Sequence, residues 1–382
     1  MPDLLPCVAE QPLIDHHCHG VIRRDADEAT LESMLNEGAA SSSQQRPGGS
    51  VFDSQAGFAF RRLCPPVLGL PPHAELPEYV ARRAELGPAE VSKRFLAGAG
   101  MSVLCVDTGF TPEPVTSPAE LADLAGATAH EIVRLERVAE DVAAAGVGAA
   151  GFADAFRSAL ATRTATAAGV KSIAAYRTGL DLAPGRPSEA EVTAAAGRWL
   201  AAQDGGPFRL ASGTLQRFLI WCGVDLGLPI QFHVGYGDSD VDLHRCNPLL
   251  LTPLLRATQP SGVPVMLLHN YPFHREAGYL AQVFPHVFVD AGLATHNLGA
   301  RAPALLAEAL ELAPFGKFLY SSDAWGLPEL YYLGAALFRT ALSEFLRAGL
   351  DQDQFPERAV GRLARMLCAD NARRVYQLAD QM

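Results

Sequence analysis

Residues 13–19, Leu-Ile-Asp-His-His-Cys-His, join a short apolar run to a polar end and are typical of a buried β-strand that finishes in histidines. Alternate side chains of a strand face the same way, so His17 and His19 are expected to point to one side, and Asp15 has the same parity. Two imidazoles that converge from one strand end form half of a divalent metal site. A chance histidine cluster is the alternative, because so short a motif is weak by itself.

Seven further strand-prone apolar runs follow along the chain, with helical segments rich in Ala, Leu and Glu between them. These runs are Met101–Asp107, Glu131–Leu135, Val170–Tyr176, Pro229–Val234, Val263–His269, Val287–Asp290 and Lys317–Ser322. Strands that alternate with helices predict a parallel sheet. Eight such units predict an α/β protein with a closed (β/α)8 barrel, the TIM barrel.

Two segments depart from the regular alternation of strands and helices. Residues 20–97 separate the first two predicted strands, and this is far longer than an ordinary βα connection. They leave the carboxyl end of the first strand, where barrel enzymes carry their active sites, so we interpret them as a lid or pocket insertion; a surface excursion is the alternative. The Ser-, Gln- and Gly-rich residues 39–50 within it are expected to be mobile. Phe355–Ala379 is predicted to form a C-terminal helical cap, and residues 1–382 to make one barrel domain.

The composition of the 382 residues disfavours several classes of protein. Hydrophobic residues make up 49% and charged residues 19%, which permits a large core. The net charge of −11 disfavours nucleic-acid and membrane-surface partners, because an acidic surface repels phosphate groups; a small-molecule substrate is expected instead. The seven cysteines form no CxxC pair, and neither a signal peptide nor a membrane span is apparent, so a cytoplasmic enzyme is expected. A homo-oligomer is compatible with this composition.

Three later strands end in residues that bind metals. His233 and His269 each finish an apolar run, and Asp323 follows the last predicted strand. The carboxyl ends of barrel strands meet at one face, so these three side chains are expected to face the same mouth as His17 and His19. The combined order, HxH followed by His, His and Asp, is far more specific than any single member.

This order of ligands resembles the amidohydrolase superfamily of metal-dependent barrel hydrolases, and the resemblance runs from Leu13 to about Ala348. It is closest to the amidohydrolase-related group, which includes predicted bacterial metal-dependent hydrolases. That group also includes the barrel domain fused to a glutamine-synthetase-like domain in some plant nodulin-like and fungal proteins. The matching stretches are Asp15–His19, Gly169–Leu180, Gln231–Asp238, His269–Glu276 and Ser321–Asp323.

The resemblance implies a metal site at the mouth of the barrel. His17 and His19 would bind a first ion, and Asp323 would complete that site. His233 and His269 would bind a second ion; in one-metal members, His233 joins the first ion and His269 polarises the substrate. Asp323 would also accept a proton from water and pass it to a leaving amine. Neutral imidazoles and carboxylate suit Zn²⁺, with Mn²⁺ or Fe²⁺ as alternatives, and such an ion lowers the pKa of bound water to about 7.

Lys171 bears on the choice between one ion and two. In two-metal members of the superfamily a lysine on the fourth strand is carboxylated and bridges the ions, and Gly169-Val-Lys171 resembles that position. Carboxylation turns the positively charged amine into a carbamate anion that can bind metal. The alternative is a plain ammonium that pairs with Asp323 or with a substrate carboxylate.

Four residues near these strand ends are expected to hold the substrate. Arg177 can clamp a carboxylate through two hydrogen bonds, and Tyr176 precedes it. Tyr236 and Asp238 lie on the Gly-rich loop after the fifth strand, where the aspartate could bind an amino group or cap a turn. Glu136, after the third predicted strand, is expected to contact substrate or Arg177.

Three functions are compatible with this set of residues. The favoured one is a metal-dependent hydrolase that cleaves an amide or another C–N bond of a small, carboxylate-bearing substrate. A metal-dependent non-oxidative decarboxylase would use one ion and a similar ligand set. A non-catalytic binding module would not need the complete set. Histidines outside the set are interpreted as surface or loop residues, namely His130, His244, His286 and His296.

Overall fold

Seven parallel strands form one sheet, and their order in the sheet follows their order in the chain. They are β1 (Leu13–Cys18), β2 (Met101–Asp107), β3 (Thr128–Arg134), β4 (Gly169–Ser172), β5 (Ile230–Val234), β6 (Val265–His269) and β7 (Val287–Val289). The computed structural model describes residues 4–37, 49–203 and 205–379 of the chain. Within this part, the predicted α/β class and parallel sheet are confirmed.

The predicted eighth strand, Lys317–Ser322, is not a regular strand. Its first residue belongs to a 3-10 helix, and extended residues follow. The Leu319 N–H donates to Val289 O at 2.9 Å, and the His16 N–H donates to Tyr320 O at 3.1 Å. The segment therefore hydrogen-bonds to β7 on one side and β1 on the other, but it makes only an isolated bridge instead of a ladder.

Helices connect the strands. The α-helices in the described residues are α1 (Pro6–Ala9), α2 (Glu28–Met34), α3 (Gln55–Val67), α4 (Leu76–Leu86), α5 (Pro88–Ala99), α6 (Pro118–Ala125), α7 (Leu135–Ala144), α8 (Phe152–Arg163), α9 (Glu189–Ala201), α10 (Gly213–Leu226), α11 (Thr252–Thr258), α12 (His274–Val283), α13 (Gly292–Asn297), α14 (Ala302–Ala309), α15 (Pro328–Asp351), α16 (Glu357–Arg365) and α17 (Asn371–Val375). A π-helical segment, Met366–Asp370, joins the last two. None of the described helices has the length and hydropathy needed to span a bilayer.

Local sequence signals set several of these boundaries. Helices α5 and α10 end at Gly100 and Gly227, whose φ angles of 66° and 73° are left-handed values that glycine adopts without strain. Helix α6 begins with a capping box, in which the Ser117 side chain accepts from the Glu120 N–H and the Glu120 carboxylate accepts from the Ser117 N–H. Caps of this kind fix where each helix begins and ends.

Two strand boundaries differ from the predicted ones. The third strand ends at Arg134, and Leu135 already begins α7, so the predicted strand Glu131–Leu135 was placed too late. The fourth strand ends at Ser172, and Ala174–Tyr176 forms a 3-10 helix instead of continuing it. In both places the buried apolar run that suggested a strand continues into a helical turn that is also buried.

Inward-facing strand residues form an apolar cluster together with the C-terminal segment. Its members are Ile14, Val103, Cys105, Ile132, Met266, Leu268, Phe288, Leu319, Ala369, Ala372, Val375, Tyr376 and Leu378. A Cβ built on Gly169, the first residue of β4, would lie 3.3 Å from the Tyr376 ring. The C-terminal segment therefore packs at the amino ends of the strands, opposite to the histidines.

Helices α2–α4 lie within the predicted insertion of residues 20–97, and α5 begins in it; residues 38–48, which include most of the stretch 39–50 expected to be mobile, lie outside the described part. A buried ion pair joins this region to α15, because Arg83 Nε donates to Glu329 Oε1 at 2.7 Å. The Tyr79 hydroxyl donates to the same oxygen at 2.7 Å. Since Arg83 is 2% exposed and Glu329 is fully buried, the described part of the insertion packs tightly against α15.

Candidate metal centre

Asp323 lies within a ring of histidines at the carboxyl ends of the strands. Its Oδ1 is 3.0 Å from His17 Nε2 and 3.4 Å from His19 Nε2, and its Oδ2 is 3.3 Å from His269 Nδ1. His17 and His19 stand at the end of β1, and His269 is the last residue of β6. All three histidines are buried, and the Asp323 side chain is 12% exposed. The structure thus brings these four predicted residues together.

Two more predicted ligands lie beside this ring. The rings of His233 and His269 have centroids 4.6 Å apart, because the end of β5 adjoins the end of β6. Lys171, on β4, is 2% exposed, and its Nζ lies 3.1 Å from His17 Nε2. Tyr176 packs against His233 with ring centroids 4.6 Å apart. All the residues predicted to bind metal therefore lie in one group.

The chain turns sharply at two of these positions. His269 has a φ of 68° and Asp323 a φ of 52°, in the left-handed region that residues other than glycine seldom adopt. Asn270 follows with a φ of 63°, and its Nδ2 donates to Leu267 O and to Asp290 O. Such conformations cost roughly 1–3 kcal/mol each and persist where the surroundings hold them, often at functional sites. Here they direct His269 and Asp323 toward each other.

Carbonyl oxygens fix the position of the proton on two of the rings. His19 Nδ1 lies 3.0 Å from Asp107 O, and His233 Nε2 lies 3.1 Å from Tyr236 O. A carbonyl oxygen only accepts, so each of these nitrogens must carry the proton. His19 Nε2 and His233 Nδ1 then keep free lone pairs. Histidines that bind metal typically donate their other ring N–H to a carbonyl or a carboxylate in this way.

The contacts of Asp323 fit a bound cation. His17 Nδ1 faces the amide oxygen of Gln231 at 2.8 Å, which leaves the lone pair on its Nε2. His17 Nε2 lies 3.0 Å from Asp323 Oδ1, and His19 Nε2, which also carries a lone pair, lies 3.4 Å from the same oxygen. Acceptors this close repel each other unless a positive charge lies near them. Of the three acceptors described here, His17 Nε2, His19 Nε2 and Asp323 Oδ1, the Lys171 ammonium is within hydrogen-bond distance of His17 only, whereas a divalent ion would satisfy all three.

Burial keeps three of the imidazoles neutral, those of His17, His233 and His269. It lowers the pKa of His17 to about 4 and that of His233 to about 3, and the Lys171 charge acts in the same direction. Burial also holds the pKa of His269 well below its usual value, and its Nδ1 makes no hydrogen bond among the described residues. Burial acts to raise the pKa of Asp323, but the adjacent histidines outweigh it and hold that pKa well below its usual range. Neutral imidazoles beside an ionised carboxylate suit Zn²⁺, Mn²⁺ or Fe²⁺.

Burial also lowers the pKa of the Lys171 amine, to about 8, although the Asp107 and Asp323 charges oppose this change. An amine with such a pKa is neutral part of the time near neutral pH. The neutral amine is the form that reacts with CO2, so the environment of Lys171 is compatible with the predicted carbamate and with a free amine.

Asp107 offers a second carboxylate near His17 and His19. Its Oδ2 accepts from Arg134 Nη2 at 2.6 Å and from Arg134 Nε at 3.1 Å, and its Oδ1 accepts from the Gly109 N–H at 2.8 Å. Both oxygens therefore already have partners. Asp107 supports the site through its carbonyl group, which orients His19, whereas the Asp323 carboxylate meets the lone pairs directly.

The same group of residues opens into a cavity of about 350 Å³. Tyr176, Arg177 and Asp238, which were predicted to hold substrate, line this cavity. Arg134 and Arg209 line it as well, although no motif singled them out. The cavity therefore offers cationic and anionic side chains next to the histidines.

Two residues expected to contact the substrate are not among the described residues that line this cavity. Tyr236 is not among the described residues that line the cavity, and its hydroxyl accepts from Asn297 Nδ2 at 2.9 Å. Glu136 is fully buried in the first turn of α7 and accepts hydrogen bonds from the end of β4. Arg177 pairs with Glu140 at 3.3 Å, so the expected contact between Glu136 and Arg177 is replaced by this ion pair.

The interpretation of His296 as a surface or loop residue was wrong, because it is 2% exposed and helical, whereas His286 lies in the turn before β7 as expected but is only 5% exposed. His296 lies on α13 and lines the cavity, and burial lowers its pKa to about 4. Its neighbours Leu293 and Ala294 are also buried, and α13 follows a strand end directly. The apolar start of a helix directly after a strand end was the sequence signal that could have placed His296 at the site.

The aromatic residue Phe110 and an acidic residue were also missed. Phe110 lies 5.4 Å from Trp325 and 6.1 Å from His19, measured between ring centroids, and all three line the cavity. Glu37 lines it too, and burial, with the charges of nearby carboxylates, raises the pKa of Glu37 to about 8. These residues belong to long connections, where no periodicity marks which side chains face the site.

Comparison with known proteins agrees with this geometry. The chain is 34% identical over 227 residues to protein fluG of Emericella nidulans; the match covers 56% of this chain and 26% of fluG, so it spans about a quarter of that relative. An inferred metal-dependent hydrolase from Lactobacillus casei ATCC 334 has a solved structure with 32% identity, a TM-score of 0.83, and coverage of 97% of this chain and 96% of that one.

A uronate isomerase from Thermotoga maritima shares the fold, with 12% identity, a TM-score of 0.63, and coverage of 97% and 95% of the two chains. The family model described as Amidohydrolase matches residues 14–378, and this range contains every residue of the candidate metal centre. The chain belongs to the Amidohydrolase family.

Proposed function

We propose that this protein is a metal-dependent hydrolase that cleaves an amide or another C–N bond in a small, carboxylate-bearing substrate. The observation that carries the proposal is the meeting of imidazole lone pairs with the Asp323 carboxylate. His17, His19 and Asp323 would hold a divalent ion, Zn²⁺ in the first place. His233 would join this ion in a one-metal site. In a two-metal site, His233 and His269 would hold a second ion and a carboxylated Lys171 would bridge the pair.

A divalent ion in this position supplies water of lowered pKa and polarises a carbonyl group. Asp323, held as a carboxylate, accepts a proton from the attacking water and delivers it to the leaving nitrogen. His269 lies beside Asp323 Oδ2, where it can polarise the substrate carbonyl in a one-metal site. Because left-handed backbone conformations fix both residues, they need little rearrangement during the reaction.

Arginine side chains support a substrate carboxylate. Arg177 is largely buried, and its Nε makes no hydrogen bond among the described residues. Arg209 lines the cavity with it, and a guanidinium group suits a planar carboxylate. Asp238 lines the cavity too and is available to an amino group, although it also accepts from the Asp240 N–H in the turn. We therefore favour an amide derived from an amino acid.

We also propose how the chain encloses this site. The extended segment 318–323 would close the sheet into a barrel, since it hydrogen-bonds to both edge strands. The insertion 20–97 would act as a lid, because residues 33–37 line the cavity. Seven free cysteines, six of them buried, agree with a reducing, cytoplasmic location.

Product analysis tests the proposed reaction. The zinc-loaded protein is incubated with a panel of N-acyl amino acids and with matched amides in which the carboxylate is replaced by hydrogen. We expect release of free amine from the acids and far less from the matched amides. An Arg177→Gln variant should lose the preference between the two sets. No amine release from any member of the panel would contradict the proposal.

The alternative reaction is loss of CO2 from a carboxylic acid. A free Lys171 amine, which can donate to His17 Nε2 at 3.1 Å, leaves this alternative open because it favours a single ion. Native mass spectrometry distinguishes the states, since a carbamate adds one CO2 to the mass of the chain. A carbamate together with amine release supports hydrolysis; CO2 release from acids without amine release supports decarboxylation.

A further inference from the structure

Gln231 occupies a buried position beneath the metal centre, and the proposed chemistry does not use it. Its side chain is fully buried on β5, two residues before His233 and therefore on the same face of the strand. Its Oε1 lies 2.8 Å from His17 Nδ1. Its Nε2 donates to His16 O at 2.7 Å and to the Tyr376 hydroxyl at 2.8 Å. All the polar atoms of this amide are thus engaged.

The carbonyl group of His16 fixes the orientation of the amide. A backbone carbonyl oxygen only accepts, so it must face the NH2 group of Gln231. The reversed amide would place two oxygens 2.7 Å apart, which is strongly unfavourable in a buried site. Oε1 therefore faces His17. Because Oε1 only accepts, His17 must carry its proton on Nδ1.

The alternative tautomer of His17 would compete with metal binding. A proton on Nε2 would point at Asp323 Oδ1, 3.0 Å away, and would form a charge-assisted hydrogen bond there. That bond would occupy the His17 nitrogen and the Asp323 oxygen that the proposed ion needs. The protein therefore requires a group that keeps the proton on the other side of the ring.

We propose that Gln231 is this positioning residue: it holds His17 in the Nδ1–H form and so keeps the Nε2 lone pair available to the metal. The inference rests on the proposed metal-dependent function and adds a residue to it. The hydroxyl of Tyr376, in the C-terminal segment, accepts a hydrogen bond from Gln231 Nε2 and helps to hold the amide in this orientation. Strand β5 thus carries two residues of the proposed site. His233 would bind the metal, and Gln231 would keep the proton of His17, on β1, at Nδ1.

Zinc titration of the metal-free protein tests the role of Gln231. A Gln231→Met variant keeps the length of the side chain but removes the acceptor, and its affinity for Zn²⁺ should fall roughly 10- to 100-fold. In a Gln231→Glu variant, a protonated carboxyl group can donate to His16 O and still accept from His17 Nδ1, so this variant should retain most of the affinity. The matched control is Gln216→Met, which changes a fully buried glutamine on α10 and should leave the affinity unchanged.

Nitrogen NMR of histidine-labelled, metal-free protein gives a second readout that needs no variant. The native spectrum should show His17 protonated on Nδ1, and Gln231→Met should shift the proton toward Nε2. Native zinc affinity in Gln231→Met, or a native ring protonated on Nε2, would overturn the inference and leave the hydrolase proposal intact. A native chain that binds no Zn²⁺ would instead overturn the proposed function.

Discussion

Asp323 combines three properties that the proposed chemistry needs. It contacts three histidines, it is held as a carboxylate, and its φ of 52° fixes the direction of its side chain. We predict that Asp323→Asn lowers kcat roughly 10²- to 10⁴-fold, because the amide cannot carry the proton. The zinc content should remain substantial, since the histidines stay in place. Steady-state kinetics with metal analysis of the same sample checks both parts.

The matched control for this substitution is Asp353→Asn. Asp353 also has a left-handed φ, of 54°, but it is exposed and lies outside the described lining of the cavity. This variant should keep the native kcat. A near-native rate in Asp323→Asn would show that another group moves the proton.

The meeting of the strand-end histidines with Asp323 could be predicted from the sequence because parallel topology sends the carboxyl ends of all strands to one face. His233 and His269 needed only an apolar run before them. The partners that set the protonation of these rings could not be predicted, because Gln231 and the Asp107 carbonyl act across strands that are far apart in sequence. His296 was missed for a related reason. It lies on a helix, and the alternation of side chains along a strand does not predict which helical residues face the site.

Among the secondary-structure elements, α4 and α15 are joined by a buried ion pair. Glu329 accepts hydrogen bonds from both Arg83 and Tyr79 in a fully buried environment. We predict that Glu329→Gln lowers the free energy of unfolding by about 3–5 kcal/mol, because the Arg83 charge loses its buried partner. Urea denaturation measures this loss. Glu85→Gln, which removes an exposed partner of Arg82, should cost about 0–1 kcal/mol, and equal losses would contradict the account.

The C-terminal segment makes a second link between elements through Tyr376. Its hydroxyl accepts from Gln231 Nε2 at 2.8 Å and lies 3.0 Å from His16 Nδ1, inside the apolar cluster of the sheet. Tyr376→Phe should lower the free energy of unfolding by about 1–3 kcal/mol, because buried polar groups lose a partner. Tyr279→Phe, at a 45% exposed position, should have little effect in the same urea experiment. Equal stability of the two variants would argue against this link.

Element boundaries could be predicted where turn residues mark them. Where no turn residues mark a boundary, the prediction was wrong. Pro229 and Gly235 enclose β5, and the prediction there differs from the structure by one residue at the start. The last predicted strand, Lys317–Ser322, is not a regular strand because it pairs with its neighbours through an isolated bridge and single hydrogen bonds instead of a ladder. Such pairing depends on how neighbouring strands approach each other, which the local pattern of residues does not contain.

For the whole molecule, the candidate metal centre brings together residues from β1, β4, β5, β6 and the segment 318–323. A ligand that binds only the folded state stabilises it, by about 2.7 kcal/mol at a free concentration 100 times Kd. We therefore predict that zinc raises the thermal unfolding midpoint of the metal-free protein and that a chelator reverses the effect. The double variant His17→Ala, His19→Ala should show no such response. An equal response in the double variant would place zinc binding elsewhere.

Metal content per chain decides whether the converging histidines form a metal centre. After exposure to Zn²⁺ and removal of free ion, elemental analysis of the native protein should find about one or two ions per chain. His244→Ala, at an exposed histidine, should match the native value, and the double variant His17→Ala, His19→Ala should lose the ions. A native chain without bound metal, or a double variant with full content, would contradict the account.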